Sequence, residues 1–228
     1  MSTGKEENSP ADDDLPDDEA DEEAEETGDA STTTFAGSLL VAHPNLRDPN
    51  FRRSVLYLSA HSRAGGALGV ILNRPLGTTA ADLLPHHESR ELLTRVPVYH
   101  GGPVGQDQLS FAELRWGISG KSDPTETCQL RCHLALDEVT AMLSEGAFSA
   151  SPPHGGKELR AVVGYAGWSG GQLEAEMKEH AWLLIEPQDN FFSQPLPARE
   201  KKMWFRVLSS LGPAYKLLAA APDDPSLN

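Results

Sequence analysis

Residues 162–182 read Val-Val-Gly-Tyr-Ala-Gly-Trp-Ser-Gly-Gly-Gln-Leu-Glu-Ala-Glu-Met-Lys-Glu-His-Ala-Trp, a sequence that predicts a strand, a glycine-rich turn and a helix in succession. The run from Leu159 to Tyr165 is rich in Val and Leu, which predicts a buried strand. The glycines that follow predict a tight turn, because glycine allows positive φ and close backbone approach. Ser169 as N-cap, with Gln172 three residues later, predicts a capping box at the start of a helix.

A glycine-rich turn that opens a helix can bind phosphate through its free backbone N–H groups. Here the turn lacks both a G-K-[ST] ending and a G-x-G-x-x-G pattern. Glu174 and Glu176 stand early in the predicted helix, where their charges oppose an anion. These observations favour a packing turn and leave an anion site as the alternative.

The first 30 residues differ in composition from the rest of the chain. They hold fourteen Asp or Glu and one Lys, whereas the 228-residue chain as a whole has a net charge of −15. Such a segment has too little apolar surface to offset the entropy of ordering, so residues 1–34 are predicted to be a disordered acidic tail. It would solubilise the protein or cover a basic patch on its own body.

The rest of the chain mixes strand and helix patterns without regular alternation, which predicts an α+β fold with a mixed β-sheet flanked by helices. The runs 54–59 and 67–72 flank Gly65-Gly66 and predict a hairpin. Apolar residues at helical spacing predict a helix over 199–211. We expect one compact domain over residues 35–214 and a partly ordered C-terminal tail over 215–228.

Compartment and cofactor signals are few. The start of the chain is polar and acidic, unlike a signal peptide, and no apolar run is long enough for a membrane span. The two cysteines, Cys128 and Cys132, would lie too far apart on a strand for a disulfide, and their low number suits a reducing compartment. Cys132 beside His133 has no second ligand cluster, so we expect no metal and no cofactor. The predicted location is the cytoplasm.

Several segments resemble the AlgH/YqgE family of bacterial proteins, and the resemblance covers about residues 37–212. They are G-S-L-L-V-A-H-P-N-L-R-D-P-N-F-R-R-S-V-L-Y-L, G-A-L-G-V-I-L-N-R-P-L, V-Y-H-G-G-P-V, V-G-Y-A-G-W-S-G-G-Q-L-E-A-E and the helix from Trp204 to Gly212. Their common order makes the resemblance specific. It implies a compact α+β fold around a mixed sheet and a family usually labelled as transcriptional regulators.

The chain departs from the family pattern at three places. His43 stands where the family usually has Met, and His180 where Asn is common. Ala60 precedes His61 where Glu-His is usual. If the Glu-His pair were a catalytic dyad, this chain would lack its carboxylate.

One region carries a local positive charge. Between His43 and Arg74 there are five Arg and one acidic residue, Asp48. The arginine fork suits phosphate or carboxylate. The predicted anionic-ligand site comprises Arg47, Arg52, Arg53, Asn73, Arg74, Gly101 and Gly102. Alternatively, these arginines bind backbone carbonyls or pair with Asp48 and serve the structure.

No catalytic signature is present, so we predict a regulatory or adaptor protein that acts by binding a protein partner or an anionic small ligand. Direct DNA binding is not expected, because no predicted helix carries a stripe of Lys or Arg. The alternative is a small nucleotide- or RNA-processing enzyme that uses the arginine-rich face. Titratable side chains clustered around a pocket would favour the enzyme, and an apolar surface patch would favour the adaptor.

Overall fold

The computed structural model describes residues 34–116, 129–146, 156–185 and 200–220. The chain divides into two units, Met1–Ser31 and Thr32–Asn228, and the described residues all belong to the second. The predicted acidic tail, except for Thr34, and Cys128 lie outside the described residues. The elements are β1 (Leu39–Ala42), β2 (Val55–Ser62), β3 (Gly66–Ile71), β4 (Pro75–Thr79), α1 (Ala80–Leu83), α2 (Arg90–Leu93), β5 (Pro97–His100), β6 (Val104–Trp116), β7 (Gln129–Leu134), α3 (Leu136–Ser144), β8 (Gly156–Trp168), α4 (Gln172–Lys178), β9 (Trp182–Ile185), α5 (Glu200–Ser210) and α6 (Pro213–Ala220).

The nine strands form one mixed sheet, which confirms the predicted α+β class. The strand order is β4-β5-β8-β3-β2-β1-β9, with β6 paired to β8 and β7 paired to β6. The β5–β8 pair is parallel, whereas the other pairs are antiparallel. The predicted hairpin is the antiparallel pair of β2 and β3 around Gly65-Gly66.

Strand β8 has partners on both of its edges. Residues Ala161–Val163 pair with β5 and also with β6, so these two strands lie on opposite edges. Beyond them, residues Ala166–Trp168 pair with β3. The backbone N–H of Ile71, at the end of β3, donates to the carbonyl of Gly101, just after β5. Strand β3 therefore lies on the same edge of β8 as β5. Strand β8, which contains the first residues of the stretch 162–182, therefore pairs with three other strands: β3, β5 and β6.

The chain crosses β8 between the end of β5 and the start of β6, and glycines make this crossing possible. A Cβ on Gly101 would lie 2.2 Å from the carbonyl oxygen of Gly164, and one on Gly102 would lie 2.2 Å from the carbonyl of Tyr165. Gly164 has φ +72°, and its own Cβ would lie 2.5 Å from the carbonyl oxygen of Gly102. Two backbones therefore touch where no side chain fits.

The predicted helix over 199–211 corresponds to α5. It buries Met203, Trp204, Val207 and Leu208, four of the five residues that its helical spacing selects, whereas the fifth, Leu211, is 36% exposed. The indole Nε1 of Trp204 donates to the carbonyl of Ala42 at 2.7 Å, which fastens α5 to β1. Helix α6 continues beyond the predicted domain end at residue 214. Among the described residues, no helix is long and apolar enough to cross a membrane.

Helix α4 begins later than predicted, so the assignment of Ser169 as its N-cap is wrong. The N-cap is Gly171, whose φ of +73° turns the chain in a conformation that favours glycine. The Gln172 part of the predicted capping interaction exists, since the backbone N–H of Ser169 donates to Gln172 Oε1 at 3.0 Å.

Thr79 is the N-cap of helix α1, and Asp82 closes its first turn. Asp82 accepts the backbone N–H of Thr79 at 2.9 Å and the hydroxyls of Thr78 and Thr79. These bonds, the backbone N–H first, lower the pKa of Asp82 to about 2. The carboxylate therefore stays ionised at the helix start, where it complements the helix dipole.

Candidate functional site

A cleft of about 580 Å³ opens on the sheet where β2, β3 and β8 meet the start of β6. This volume lies in the range of small-ligand and peptide pockets. Among the residues that the structure describes, its lining contains no Asp, Glu, Lys or Arg and consists of Ala60, His61, Ser62, Gly65, Gly66, Ala67, Leu68, Val104, Tyr165, Gly167, Trp168 and Ser169.

Apolar side chains form the walls of the cleft. Leu68 is 42% exposed and Val104 is 41% exposed, although both belong to strands. Between them the exposed Gly167 and the half-buried Tyr165 form the floor. A surface of this kind gains free energy by taking an apolar group out of water.

His61 lies at one side of the cleft with both ring nitrogens engaged. Its Nδ1 accepts the backbone N–H of Phe35 at 3.1 Å. The proton of the neutral ring is therefore on Nε2, which donates to Glu174 Oε1 at 3.2 Å. The ring of Phe35 stacks on His61 at 4.4 Å, and the histidine side chain is only 2% exposed. In this state the imidazole holds the start of the domain and offers no free lone pair for proton abstraction.

Glu176 lies on α4 two residues beyond Glu174 and binds two indoles at once. Its Oε2 accepts Nε1 of Trp168 at 2.9 Å and Nε1 of Trp182 at 2.7 Å, and its Oε1 accepts the Gln172 amide at 2.9 Å. The two indole rings pack edge to face at 5.9 Å, and Phe51 packs against both. This one carboxylate satisfies two nearly buried donors and fixes the Trp168 wall of the cleft.

Helix α4 thus supplies one carboxylate to each side of the cleft. Glu174 orients His61 of β2, and Glu176 orients Trp168 of β8. Leu173, only 1% exposed, anchors the helix in the same core cluster as Trp168 and Trp182. The helix is a positioning element for the cleft.

The predicted anionic-ligand residues divide into surface and structural groups. Arg47 and Arg52 are exposed in the loop between β1 and β2. Arg53 is half-buried, with φ +59°, and its guanidinium lies 5.6 Å from the Trp204 ring centroid. Arg74 donates to the carbonyls of Pro49 and Arg52 at 3.2 Å each, so it braces this loop.

The remaining predicted residues have structural contacts. Asn73 is fully buried, where its Oδ1 accepts the backbone N–H of Val55 at 2.9 Å and its Nδ2 donates to the carbonyl of Arg53 at 2.8 Å. Gly101 and Gly102 are buried at the crossing over β8. The structure therefore links Arg52, Arg53, Asn73 and Arg74 through one loop and places the two glycines against β8.

Two of the three departures from the family pattern are neighbours. Burial lowers the pKa of His43, and the nearby His180 lowers it further. The backbone N–H of His43 donates to the carbonyl of Ala181, which ties the end of β1 to the residue after His180. His43 is therefore neutral at pH 7 and serves this junction as an uncharged polar group.

Neither cysteine chemistry nor a metal site emerges from the part of the chain that the structure describes. Burial raises the pKa of the Cys132 thiol to about 12, so the thiolate is scarce at neutral pH. No group of three or more His, Cys, Asp or Glu side chains within the four described ranges could hold a metal ion.

Sequence reasoning missed Glu174 as the partner of His61. The residue before His61 is alanine, but the carboxylate comes from a helix 113 positions later. It also grouped Gly167 with the turn glycines, although Gly167 lies in β8. The sequence did carry a signal at Gly167, because a glycine inside a predicted strand indicates a bulge or a close approach of another backbone.

Comparison with known proteins gives consistent matches over the described fold. A family model described as AlgH-like (DUF179) matches residues 39–216. A UPF0301 protein of Streptomyces coelicolor is 37% identical over 205 residues, which covers 89% of this chain and all of that protein. A UPF0301 protein of Mycobacterium leprae is 36% identical over 85% of this chain and 90% of its own length.

Two solved structures share the fold. The solution structure of the AlgH protein from Pseudomonas aeruginosa has a TM-score of 0.56 and 31% identity, covering 83% of this chain and 95% of that one. A crystal structure of a Corynebacterium diphtheriae protein has a TM-score of 0.56 at 18% identity over 82% of this chain and 92% of that one. The second match bears on the fold alone.

Proposed function

This chain belongs to the AlgH-like family, and from that premise we propose that it is a regulatory or adaptor protein that binds a segment of a partner protein in the cleft. The observation that carries the proposal is the cleft, which combines a ligand-sized volume with exposed apolar walls and, in the described part of the chain, a lining without Asp, Glu, Lys or Arg. Apolar patches on soluble proteins mark interaction sites, whereas phosphate-bearing ligands are most strongly bound by cationic side chains, above all arginine.

The state of His61 supports binding over catalysis at this cleft. A general base needs a lone pair within reach of its substrate, but both nitrogens of His61 are used inside the protein. The hydroxyl of Ser62, also in the lining, accepts the backbone N–H of Gly65 at 2.9 Å and shapes the β2–β3 turn. These side chains build the cleft wall.

Site-specific photocrosslinking in cells tests the proposal. A photoreactive phenylalanine analogue at Leu68 should give discrete protein adducts, whereas the same group at Leu217, which is 74% exposed on α6, should not give those adducts. The captured partner, once purified, should bind the wild-type chain and lose affinity for Leu68→Asp. The same adducts at both positions, or equal binding by Leu68→Asp, would contradict the proposal.

A second candidate ligand is an anion at the loop between β1 and β2. The bracing of this loop by Arg74 favours it, because a fixed loop presents Arg47 and Arg52 at little entropic cost. Calorimetric titration with pyrophosphate should show salt-sensitive binding that the double variant Arg47→Ala, Arg52→Ala weakens. Arg90→Ala, at an exposed arginine of α2, is the control. Equal binding by both variants would remove this candidate.

A further inference from the structure

One edge of β8 has a vacant strand position beside the cleft. Strand β3 pairs along one edge of Ala166–Trp168. On the opposite edge, β6 ends its pairing with Val104 opposite Tyr165. Within the described ranges, no strand continues β6 along that edge beside Gly167. An unpaired strand edge is a template for another extended chain.

Gly167 differs from the other glycines around it. A Cβ on Gly66 or Gly102 would lie about 2 Å from backbone atoms, so these positions exclude any side chain. A Cβ on Gly167 would meet only the side chains of Tyr165 and Leu68, at ordinary contact distances of 3.5 Å and more, and its φ is not positive. The isolated fold therefore does not require glycine here.

Glycine within a strand is less stable than alanine, so a position that tolerates a side chain but lacks one indicates another constraint. Gly167 is exposed and forms the cleft floor between Tyr165 and Leu68. Close approach of a second backbone is one reason for glycine in a strand. With no side chain at Gly167, a side chain that reaches over β8 from the vacant edge can contact Leu68, which lies opposite Gly167 on β3.

We propose that the partner segment is an extended, uncharged peptide that adds a strand to the vacant edge of β8 at Gly167. Its backbone would pair with the edge of β8 in the plane of the sheet, and one apolar side chain would lie over Gly167 and contact Leu68 and Val104. This inference rests on the proposed function and identifies the chemistry of its partner. Main-chain hydrogen bonds would supply affinity, and the apolar walls would supply specificity. The absence of Asp, Glu, Lys and Arg from the lining favours a segment that is uncharged where it contacts the cleft.

The test uses the full chain and short peptides selected from a random library displayed on phage. The selected peptides should share alternate apolar residues and compete with one another. Backbone N-methylation removes single N–H donors and keeps every side chain. Methylation at alternate positions should weaken binding about tenfold, whereas methylation at the intervening positions should change it less than about threefold.

Variants of the protein add a second readout. Gly167→Val should fold with an unchanged or higher melting temperature, because valine suits a strand and its side chain points into the cleft. It should bind the selected peptide at least about tenfold more weakly, since the valine side chain would fill the space over β8 that the apolar side chain of the peptide needs. Gln106→Val, at an exposed position of β6 outside the lining, is the control and should bind like the wild type.

The outcomes separate this inference from the proposed function. Peptides that require Leu68 but tolerate N-methylation at every position would refute strand addition and keep the adaptor cleft. Selection of peptides that bind Leu68→Asp as well as the wild type would overturn both. Cross-strand nuclear Overhauser contacts between a bound peptide and Gly167 would support strand addition directly. If Gly167→Val does not fold, the methylation series still decides.

Discussion

Replacing Glu176 by alanine removes the acceptor that two indoles share. Trp168 is 6% exposed and Trp182 is 4% exposed, and the Nε1 groups of both donate to the same carboxylate oxygen. Each nearly buried donor left without its acceptor costs roughly 1–3 kcal/mol. Because Glu176 itself is half-exposed, water would recover part of this loss. The expected destabilisation of Glu176→Ala is therefore in the lower half of the sum, about 2–4 kcal/mol.

Two further variants calibrate this figure. Glu176→Gln keeps an oxygen that can accept both indoles but directs an amide towards Gln172, so it should cost about 1 kcal/mol. Glu179→Ala changes an exposed carboxylate at the end of the same helix and should stay within about 0.5 kcal/mol of the wild type. The order expected is therefore Glu176→Ala, Glu176→Gln and Glu179→Ala, from least to most stable.

Urea denaturation followed by far-ultraviolet circular dichroism measures the free energies of unfolding. Nitrogen–proton correlation spectra report the indoles directly, and both Nε1–H resonances should move upfield in Glu176→Ala as their charge-assisted hydrogen bonds disappear. If Glu176→Ala is no less stable than Glu179→Ala, or only one indole resonance moves, the shared-carboxylate argument fails.

The remaining predictions concern stability and titration. Gly102→Ala should destabilise the protein by at least about 3 kcal/mol, because its Cβ would lie 2.2 Å from backbone atoms. Gly77→Ala, at a position with φ +75° and no other atom within 4 Å of the added Cβ, should cost about 1–2 kcal/mol. Chemical denaturation measures both free energies of unfolding, and equal losses would contradict the close crossing of the two backbones. Asn73→Ala should cost about 2–4 kcal/mol of stability, because the Asn73 side chain makes hydrogen bonds to two backbone groups in a fully buried site. A loss of stability no larger than that of a surface substitution would refute the structural role of Asn73. Asp82 should titrate near pH 2 in carbon-detected spectra of the folded protein, because its pKa in the folded state lies below its ordinary value of 3.8. The ionised carboxylate therefore stabilises the fold above about pH 4, and this contribution is lost as the pH falls through about 2. Thr79→Val should raise this midpoint through loss of one hydroxyl bond, and an unchanged midpoint would contradict the assignment.

Local patterns were sufficient to predict several elements. The strand before Tyr165, the hairpin around Gly65-Gly66 and helix α5 each depend on residues close together in sequence, so composition and spacing identify them. The start of α4 was misplaced because serine and glycine both occur at N-caps, and the left-handed turn at Gly171 decides between them.

The cleft and its supports could not be predicted in the same way. The pairing of His61 with Glu174 depends on how β2 and α4 come together across 113 positions. The buried hydrogen bonds of Asn73 depend on how the sheet brings the backbone of Val55 and Arg53 next to its side chain. Periodicity identifies which face of an element is apolar, but strand order determines which distant side chains share a surface.

The crossing of the chain over β8 also has a consequence for biosynthesis. Strands β3, β5 and β6 leave the ribosome before β8, yet all three pair with it. At about 5–20 residues per second, roughly 3–13 s pass between the synthesis of Val104 and that of Trp168. During that interval the edges of these strands that pair with β8 have no native partner, and such unpaired edges favour association with other chains. Translation speed over residues 104–168 should therefore affect the yield of folded protein more than translation speed elsewhere.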